Sequence, residues 1–279
     1  MINNTPYKPL VSIVTPSYNQ GIFIERTINS VLNQDYPNIE YWVIDGGSTD
    51  NTIDILKKYE SDSRFNWLSE KDNGQTDAIN KGLRLTTGQI QAFLNSDDLY
   101  LPQVISKVVN FFQEHISVHM VYGQCEFTDK DDNIIGVFGI SQGSINPNKN
   151  DFSRMVYQGD SFPQPTTFWR KSVTEKIGLF NESLNYTMDY DFFLRVSKEF
   201  NISYIDSVLA YYRLHADSKT VSQEKLHWQE SLEVSIQYGL RKTDLWYWKR
   251  KIRHELFRLL PLPLQNNVKT ILGRKVIKY

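Results

Sequence analysis

The chain has 279 residues, of which 40% are hydrophobic and 23% charged, material for one large globular domain or a domain with an extension. A single cysteine, Cys125, excludes an internal disulfide and any Cys-based metal site, and its strand-like surroundings predict a buried structural thiol rather than a nucleophile. The net charge of −1 conceals an asymmetry: residues 241–279 carry 11 Lys+Arg against 2 Asp+Glu, and the rest 20 against 30, a basic tail on an acidic body that suits contact with a polyanionic surface. The start, Met1 to Pro9, lacks the apolar core of a secretory signal. No stretch approaches the roughly 20 apolar residues that span a bilayer. These features predict a cytoplasmic protein, free or bound to a membrane surface.

Val11 to Thr15 reads as a first buried strand, closed by Pro16-Ser17-Tyr18-Asn19, with Asn19 as N-cap of a helix whose apolar face is Ile24, Ile28, Val31 and Leu32. A second strand, Tyr41 to Ile44, runs into Asp45-Gly-Gly-Ser-Thr-Asp50, followed by a helix over Thr52 to Tyr59. Phe65 to Leu68 is a third strand, Thr76 to Leu85 a third helix, and Ile90 to Leu94 a fourth strand. This β-α-β-α-β-α-β alternation predicts a parallel sheet with right-handed crossovers and helices on both faces. A helix over Gln103 to Glu114 and two strands, Met120 to Phe127 and Ile134 to Phe138, come next. Gly139 to Asp151 reads as a flexible loop. Pro163 to Trp169 reads as extended, Ser172 to Ile177 as helix, the run after Asp189 as helix, and Ile202 to Tyr212 as strand. Beyond Gln223 the chain is helical, with Leu245, Trp248, Ile252, Leu256 and Leu259 on one face among basic residues, and the pattern resumes at Leu264, Val268, Ile271 and Leu272 after two prolines.

The fourth strand ends in Leu94-Asn95-Ser96-Asp97-Asp98. Ligands of open α/β sheets bind beyond the carboxyl ends of the strands. Hard oxygen donors placed there suit Mg²⁺ or Mn²⁺ shared with a substrate diphosphate. The plainer reading is a turn in which Asp98 caps the next helix. No G-x-G-x-x-G follows the first strand and no Walker A sequence is present, which disfavours dinucleotide and P-loop sites.

Six segments in order, Ser12-Ile-Val-Thr-Pro-Ser-Tyr-Asn19, Ile44-Asp-Gly-Gly-Ser-Thr-Asp50, Asn73-Gly-Gln-Thr-Asp-Ala-Ile-Asn-Lys-Gly82, Leu94-Asn-Ser-Asp-Asp98, Met188-Asp-Tyr-Asp-Phe-Phe-Leu-Arg195 and Tyr212-Arg-Leu-His215, resemble the family 2 glycosyltransferases over roughly Pro9 to Thr220. The resemblance implies an α/β GT-A fold: a mostly parallel, Rossmann-like sheet flanked by helices. Residues 1–222 would be the catalytic domain, with a nucleotide-binding half at 1–100 and an acceptor-side half at 101–222. Residues 223–279 would be a basic, amphipathic helical extension. It implies an inverting, metal-dependent transfer of a sugar from a nucleotide diphosphate, UDP above all, to a saccharide hydroxyl, with a lipid-linked acceptor in surface polysaccharide synthesis.

The resemblance also distributes roles. Pro16, Ser17, Tyr18, Asn19, Asp45, Asp77, Lys81, Asn95, Ser96 and Asp97 fall on the nucleotide-sugar side. Tyr18 offers a ring to the base and Asp45 an acceptor for a base N–H. Asn95-Ser96-Asp97 stands where the family has D-x-D, so Asn95 is an uncharged departure, and the divalent metal, Mn²⁺ or Mg²⁺, is assigned to Asp97 with Asp98 and His215. Asp189 matches the general base of the family's Glu-Asp pair, Met188 replaces the Glu, and Asp191 competes as base. Gln164 and Trp169 would line the acceptor side. Each has a plainer reading: a turn for Tyr18, caps for Asp45 and Asp189, a solvated helix charge for Lys81, a structural histidine for His215, a core side chain for Trp169.

The basic tail, with Trp246, Tyr247 and Trp248, would lie in the headgroup layer of an anionic membrane, placing the enzyme peripherally on the inner face of the cell membrane. Its helices could instead pack on the catalytic domain or on a second subunit in a homodimer. Nucleic acid is not expected, since no reader motif accompanies the charge. Two other classes, a sugar nucleotidyltransferase and a non-catalytic glycan-binding module, are disfavoured by the absence of a glycine-rich phosphate loop and by the presence of both Asp97 and Asp189.

Overall fold

The structure, a computed structural model, describes residues 8–138, 152–159, 162–215 and 218–259. In chain order the first half contains β1 (Val11–Ser17), α1 (Ile24–Leu32), β2 (Ile39–Asp45), α2 (Thr52–Lys57), β3 (Phe65–Ser69), α3 (Gln75–Leu85) and β4 (Ile90–Phe93). These four strands pair in parallel in the order β3-β2-β1-β4. The central strands β1 and β4 are buried along their whole length, as expected where helices cover both faces, whereas the edge strand β3 is only partly buried. There follow β5 (Leu99–Tyr100), α4 (Val104–Glu114), β6 (Met120–Thr128), β7 (Ile134–Phe138), α5 (Phe152–Gln158), β8 (Phe168–Arg170), α6 (Lys171–Ile177), α7 (Met188–Glu199), β9 (Ile202–Arg213), α8 (Lys219–Ser222), α9 (Glu224–Gln237) and α10 (Leu245–Leu259).

The sheet continues from β4 through antiparallel β8 to β6, which runs antiparallel to β8 and parallel to β9. β5 closes the edge beside β9, and β7 hangs off β6. Strands β1 to β4, β6 and β9 therefore point the same way, and their carboxyl ends share one edge.

Two cores flank the sheet. On one face Ile24, Ile28 and Val31 of α1 and Val104, Val108 and Phe112 of α4 are buried. On the other lie Ile79 and Leu83 of α3, Trp169, Phe192 and Phe193, joined by Leu232 and Val234 of α9 and Tyr247 of α10. Burying a side chain of this size is worth about 1.5–3 kcal/mol. Helix α3 lies unusually close to β1: a Cβ at Gly82 would meet Val14 Cγ1 at 2.4 Å, so glycine sets how near the helix comes to the strand. Cys125 is buried, as its surroundings predict, and burial pushes its thiol up.

Some local expectations change. Asn19 does not cap α1. Phe23 occupies the N-cap position, and Asn19 adopts a left-handed φ of 52°. Its carboxamide oxygen accepts the Thr49 N–H at 2.8 Å instead, stitching the β1 and β2 loops together. Asp98 caps no helix: Leu99 and Tyr100 pair with β9, and α4 starts only after Gln103, whose φ is 65°. The extended reading of Pro163 to Trp169 becomes a 3-10 turn, Gln164–Thr166, before β8. The predicted loop over Gly139 to Asp151 and the pattern at Leu264 to Leu272 lie outside the described residues.

Helix α10 docks by its polar side. Tyr247, Arg250 and His254 are buried, and Arg250 donates to Ser235 Oγ at 2.6 Å and Ser231 Oγ at 3.1 Å. The apolar stripe faces outward, with Leu245 80%, Trp248 48%, Ile252 53% and Leu256 58% exposed. Among the described residues no helix is long and apolar enough to cross a membrane.

Candidate active site

Because the parallel strands end at one edge, four chemically rich segments meet there: Ser17-Tyr18 at the end of β1, Asp45 at the end of β2, Asn95 to Asp98 after β4, and Arg213 to His215 at the end of β9. Asp97 Oδ2 lies 3.1 Å from His215 Nε2, and both side chains are partly buried. The His215 ring rests on Phe23, centroids 4.6 Å apart. The Arg213 guanidinium donates to the Asp97 carbonyl. It lies over the Phe23 ring at 5.0 Å, and Asp132 Oδ1 accepts its Nε at 3.0 Å.

Asp98 turns inward. One of its oxygens accepts the Arg213 N–H at 3.0 Å and the other the Asn95 amide at 3.2 Å. Burial, and then the neighbouring Asp97 carboxylate, push its carboxyl well above the usual range. Asp98 therefore braces the turn from within. Thr27 Oγ1 donates to the carbonyls of Ser96 and Asp98 at 2.7 and 2.9 Å, tying the turn to α1.

On the nucleotide side, Tyr18 is 59% exposed beside the edge, while Pro16 and Ser17 lie buried in β1. Asp45 is fully buried and organises its own loop. Oδ2 accepts Gly47 N–H, Ser48 N–H and Ser69 Oγ at 3.0, 2.9 and 2.7 Å, and Oδ1 accepts Ser48 Oγ. Each carboxylate oxygen has about two acceptor positions, and Oδ1, with a single donor, keeps one. A Cβ at Gly46 would meet only the movable end of the Asp72 side chain, Oδ2 at 2.6 Å, whereas the φ of +83° at Gly47 favours glycine. Asp77 and Lys81 are engaged locally. Asp77 accepts the Asn73 N–H at 2.9 Å, which holds its carboxyl below the usual range. Lys81 pairs with Glu70 at 2.9 Å and Asp77 at 3.4 Å.

The amino end of α3 joins the two sides. Gln75 Nε2 donates to Asn95 Oδ1 at 2.7 Å, and Thr76 Oγ1 to the Leu184 carbonyl at 3.0 Å, so Asn95 and the segment leading to Asp189 flank one helix terminus. Gln164, predicted on the acceptor side, accepts the Asn95 amide at 3.2 Å and donates to the Phe93 carbonyl at 2.8 Å. Asp189 stands in the first turn of α7, partly buried, and burial pushes its carboxyl up. Asp191 is committed elsewhere: Arg195 Nε donates to Oδ2 at 2.9 Å and Tyr238 OH to Oδ1 at 2.8 Å, and only 6% of the side chain is exposed. Each of its oxygens thus already accepts from a neighbouring side chain. Trp169 is fully buried, with Nε1 donating to Gln91 at 3.2 Å and rings of Phe180 and Phe192 around it. It is a core side chain, and the expectation of an acceptor surface there is corrected.

Sequence reasoning misses Asp132, Asp72 and Glu230, and gives Arg213 no role of its own. Arg213 stands within the Tyr212-Arg-Leu-His215 motif, and its strand position two residues before His215 places it on the same edge. Asp132 sits in Asp129-Lys-Asp-Asp-Asn133, which carries only a turn signal. No group of three or more His, Cys, Asp or Glu able to hold a metal occurs among the described residues. Asp97 supplies a carboxylate oxygen of the kind that Mg²⁺-type sites complete with substrate phosphates and water, and His215 adds an imidazole nitrogen beside it.

Comparison with known proteins bears on the fold and the family. The E. coli chondroitin synthase is 28% identical over 244 residues, 84% of this chain, and the chain spans about a third (34%) of that relative's length. Among solved structures, S. aureus TarS in complex with UDP-GlcNAc superposes with a TM-score of 0.64 at 22% identity, covering 84% of this chain and 68% of that one. The Pyrobaculum calidifontis mannosyltransferase PcManGT, in complex with GDP-Man and Mn²⁺, gives 0.61 at 18% identity, covering 86% and 66%. These likenesses establish the GT-A type of fold. The glycosyl transferase family 2 sequence profile matches residues 12–178, more than half of the chain, and the protein belongs to that family of glycosyltransferases.

Proposed function

We propose that the protein is an inverting transferase that moves a sugar from a nucleotide diphosphate, UDP in the first instance, to a saccharide hydroxyl. We further propose that the acceptor is lipid-linked and that the product enters surface polysaccharide. The observation that carries this reading is the edge itself. It joins an exposed Tyr18 ring, a loop-forming Asp45, the Asp97–His215 pair and, across the amino end of α3, the segment that presents Asp189. The binding of UDP-GlcNAc by one structural neighbour and of GDP-Man with Mn²⁺ by another supports it.

In this reading Tyr18 stacks on the base and the remaining Oδ1 position of Asp45 accepts from a base N–H. Asn95, Ser96, Asp77 and Lys81 shape the floor and rim. Asp97 with His215 would hold a divalent cation, Mn²⁺ or Mg²⁺, which when bound neutralises charge on the departing diphosphate. Asp189 takes the proton of the acceptor hydroxyl as that oxygen attacks the anomeric carbon. The bond from that carbon to the diphosphate breaks, and its electron pair leaves with the nucleotide. The Arg213 guanidinium, behind Asp97, donates to the Asp97 carbonyl and so holds that turn in place.

The outward apolar stripe of α10 and its flanking lysines support a peripheral seat on an anionic membrane, with Lys249 Nζ 4.5 Å from the Trp246 ring and Lys251 Nζ 5.4 Å from the Trp248 ring. The deciding experiment is UDP release from a panel of UDP-sugars with a saccharide acceptor, with and without EDTA. EDTA-sensitive release that requires the acceptor supports the reading, and binding without turnover across UDP- and GDP-sugars overturns it.

A further inference from the structure

We propose that Glu230, on α9 of the carboxyl-terminal extension, is a positioning residue for Asp189: its one carboxylate fastens the three residues that lead into the base. This rests on the reading of Asp189 as base. Oε1 of Glu230 accepts the N–H of Tyr186, the N–H of Thr187 and the Thr187 hydroxyl, each at 2.8 Å, and Oε2 accepts the N–H of Asn185 at 3.0 Å. Thr187 is the N-cap of α7 and makes no side-chain cap bond of its own. The orphan donors at a helix start need an acceptor, and a carboxylate there is favoured both by charge-assisted bonds and by the helix dipole.

The grip extends along α9. Ser235 Oγ lies 3.0 Å from Tyr190 OH, and Tyr238 OH donates to Asp191 at 2.8 Å. Residues 185–187, 190 and 191 are thus all tied to one helix, with Asp189 among them. Met188 leaves one carboxylate where the family has two adjacent ones. Glu230 brings a second carboxylate to the same segment from 41 positions beyond Asp189.

The charged groups facing Asp189 are His227 and Glu230 of α9, with Lys219 of α8 beside Glu230 and Asp72. Lys219 Nζ also donates to the Asn185 carbonyl at 3.3 Å. Burial raises the Asp189 carboxyl most, His227 lowers it and Glu230 raises it.

The test compares Glu230→Ala and Glu230→Gln in the full chain, reading kcat, donor KM, the pH profile of kcat, and UDP affinity by thermal shift. Misplacement of a catalytic group by about 1 Å costs ~10²-fold, so Glu230→Ala should lower kcat by about that factor while UDP affinity and donor KM hold. Glu230→Gln keeps Oε1 as an acceptor and removes a negative charge. It should recover most of kcat and move the acid limb of the profile to lower pH. Wild-type kcat in Glu230→Ala, or a parallel loss of kcat and UDP affinity that Glu230→Gln does not rescue, overturns the proposal. Should Glu230→Ala fail to fold, the Glu230→Gln profile decides: a downward shift supports the proposal and an unmoved limb overturns it. Asp189→Asn separates the two readings. Full transfer by that variant removes Asp189 as base, whereas its silence beside a wild-type Glu230→Ala removes only the role of Glu230.

Discussion

Asp132, at the tip of the β6–β7 hairpin, is the counter-charge of Arg213: Oδ1 accepts the Arg213 Nε at 3.0 Å while Oδ2 accepts Arg26 Nη1 at 2.6 Å. Arg213 is 1% exposed, whereas Arg26 and Asp132 keep 38% and 30% of their side chains in water. The hairpin thereby reaches across the carboxyl edge and neutralises the cation behind Asp97. A buried guanidinium without its partner is costly, whereas a half-exposed ion pair is worth about 0–1 kcal/mol. Asp132→Ala should therefore destabilise the fold by about 2 kcal/mol, and Arg26→Ala by less than about 1 kcal/mol. Urea midpoints at neutral pH measure the contrast, and equal losses would contradict the assignment of Arg213 as the group that Asp132 serves.

The two carboxylates of α7 should separate under substitution. Asp189 has its carboxyl raised by burial, so the folded state binds that proton more tightly than the unfolded chain. The favourable contribution is present below the unfolded value of about 3.9 and is lost as pH rises through the folded one. At neutral pH an ionised Asp189 thus costs stability, and Asp189→Asn should raise Tm while lowering kcat by ~10²–10⁴-fold with UDP affinity retained. The acid limb of kcat should likewise lie above the ordinary carboxylate value. Asp191→Asn does the reverse. It weakens the hold on Arg195 and Tyr238, lowers Tm, and reduces kcat per folded molecule far less than Asp189→Asn does. A Tm that falls in both variants would refute the account of Asp189.

The legible part of the chain is the part governed by period and punctuation. Parallel strands such as Val11–Ser17 are buried on both sides and read as apolar runs, and α1 shows Ile24, Ile28 and Val31 at helical spacing. The alternation of these elements decides which strand ends share an edge, and so Asp45 and Asp97 can be placed together from the order of the residues alone. What a linear reading cannot weigh is the direction of a side chain within a motif. Asp97 and Asp98 are adjacent, yet one faces His215 and the other the interior, because the turn after β4 is braced by the Arg213 backbone from a strand 115 positions away. Asp191 is likewise taken up by Arg195 one helical turn on and by Tyr238, which caps the carboxyl end of α9. Trp169 reads as a sugar platform because Trp often is one, but β8 carries it into the middle of the sheet.

Metal removal should act through Asp97 and His215. EDTA should stop transfer, and added Mn²⁺ or Mg²⁺ should restore it. Loss of a supporting group at a metal site commonly costs 10–100-fold in metal affinity. His215→Ala should accordingly raise the Mn²⁺ concentration for half-maximal rate at least about tenfold, and Asp97→Ala should abolish the metal response. Activity titrations with Mn²⁺ measure both. Asp98→Asn keeps an oxygen that can accept the Arg213 N–H and so brace the turn, and its half-maximal Mn²⁺ concentration should stay near that of the wild type. A shift as large as that of His215→Ala would make Asp98 a ligand.

The outward face of α10 allows charge and insertion to be told apart. Leu245, Trp248, Ile252 and Leu256 stand exposed on a helix whose buried side is Tyr247, Arg250 and His254. Basic residues near an anionic surface contribute about 1 kcal/mol each, and buried apolar area adds to this only if the stripe enters the headgroup layer. Replacing Ile252 and Leu256 by lysine increases the positive charge while removing apolar contact. A purely electrostatic attachment would then tighten, and an inserted helix would release. Sedimentation with phosphatidylglycerol vesicles should show the wild-type chain bound and Ile252→Lys/Leu256→Lys largely free, with neutral phosphatidylcholine vesicles binding neither. Because these side chains face away from both cores, Tm should be unchanged in the double variant. Stronger binding by that variant would make the contact a surface charge effect, and no binding by the wild type would leave the membrane reading without support.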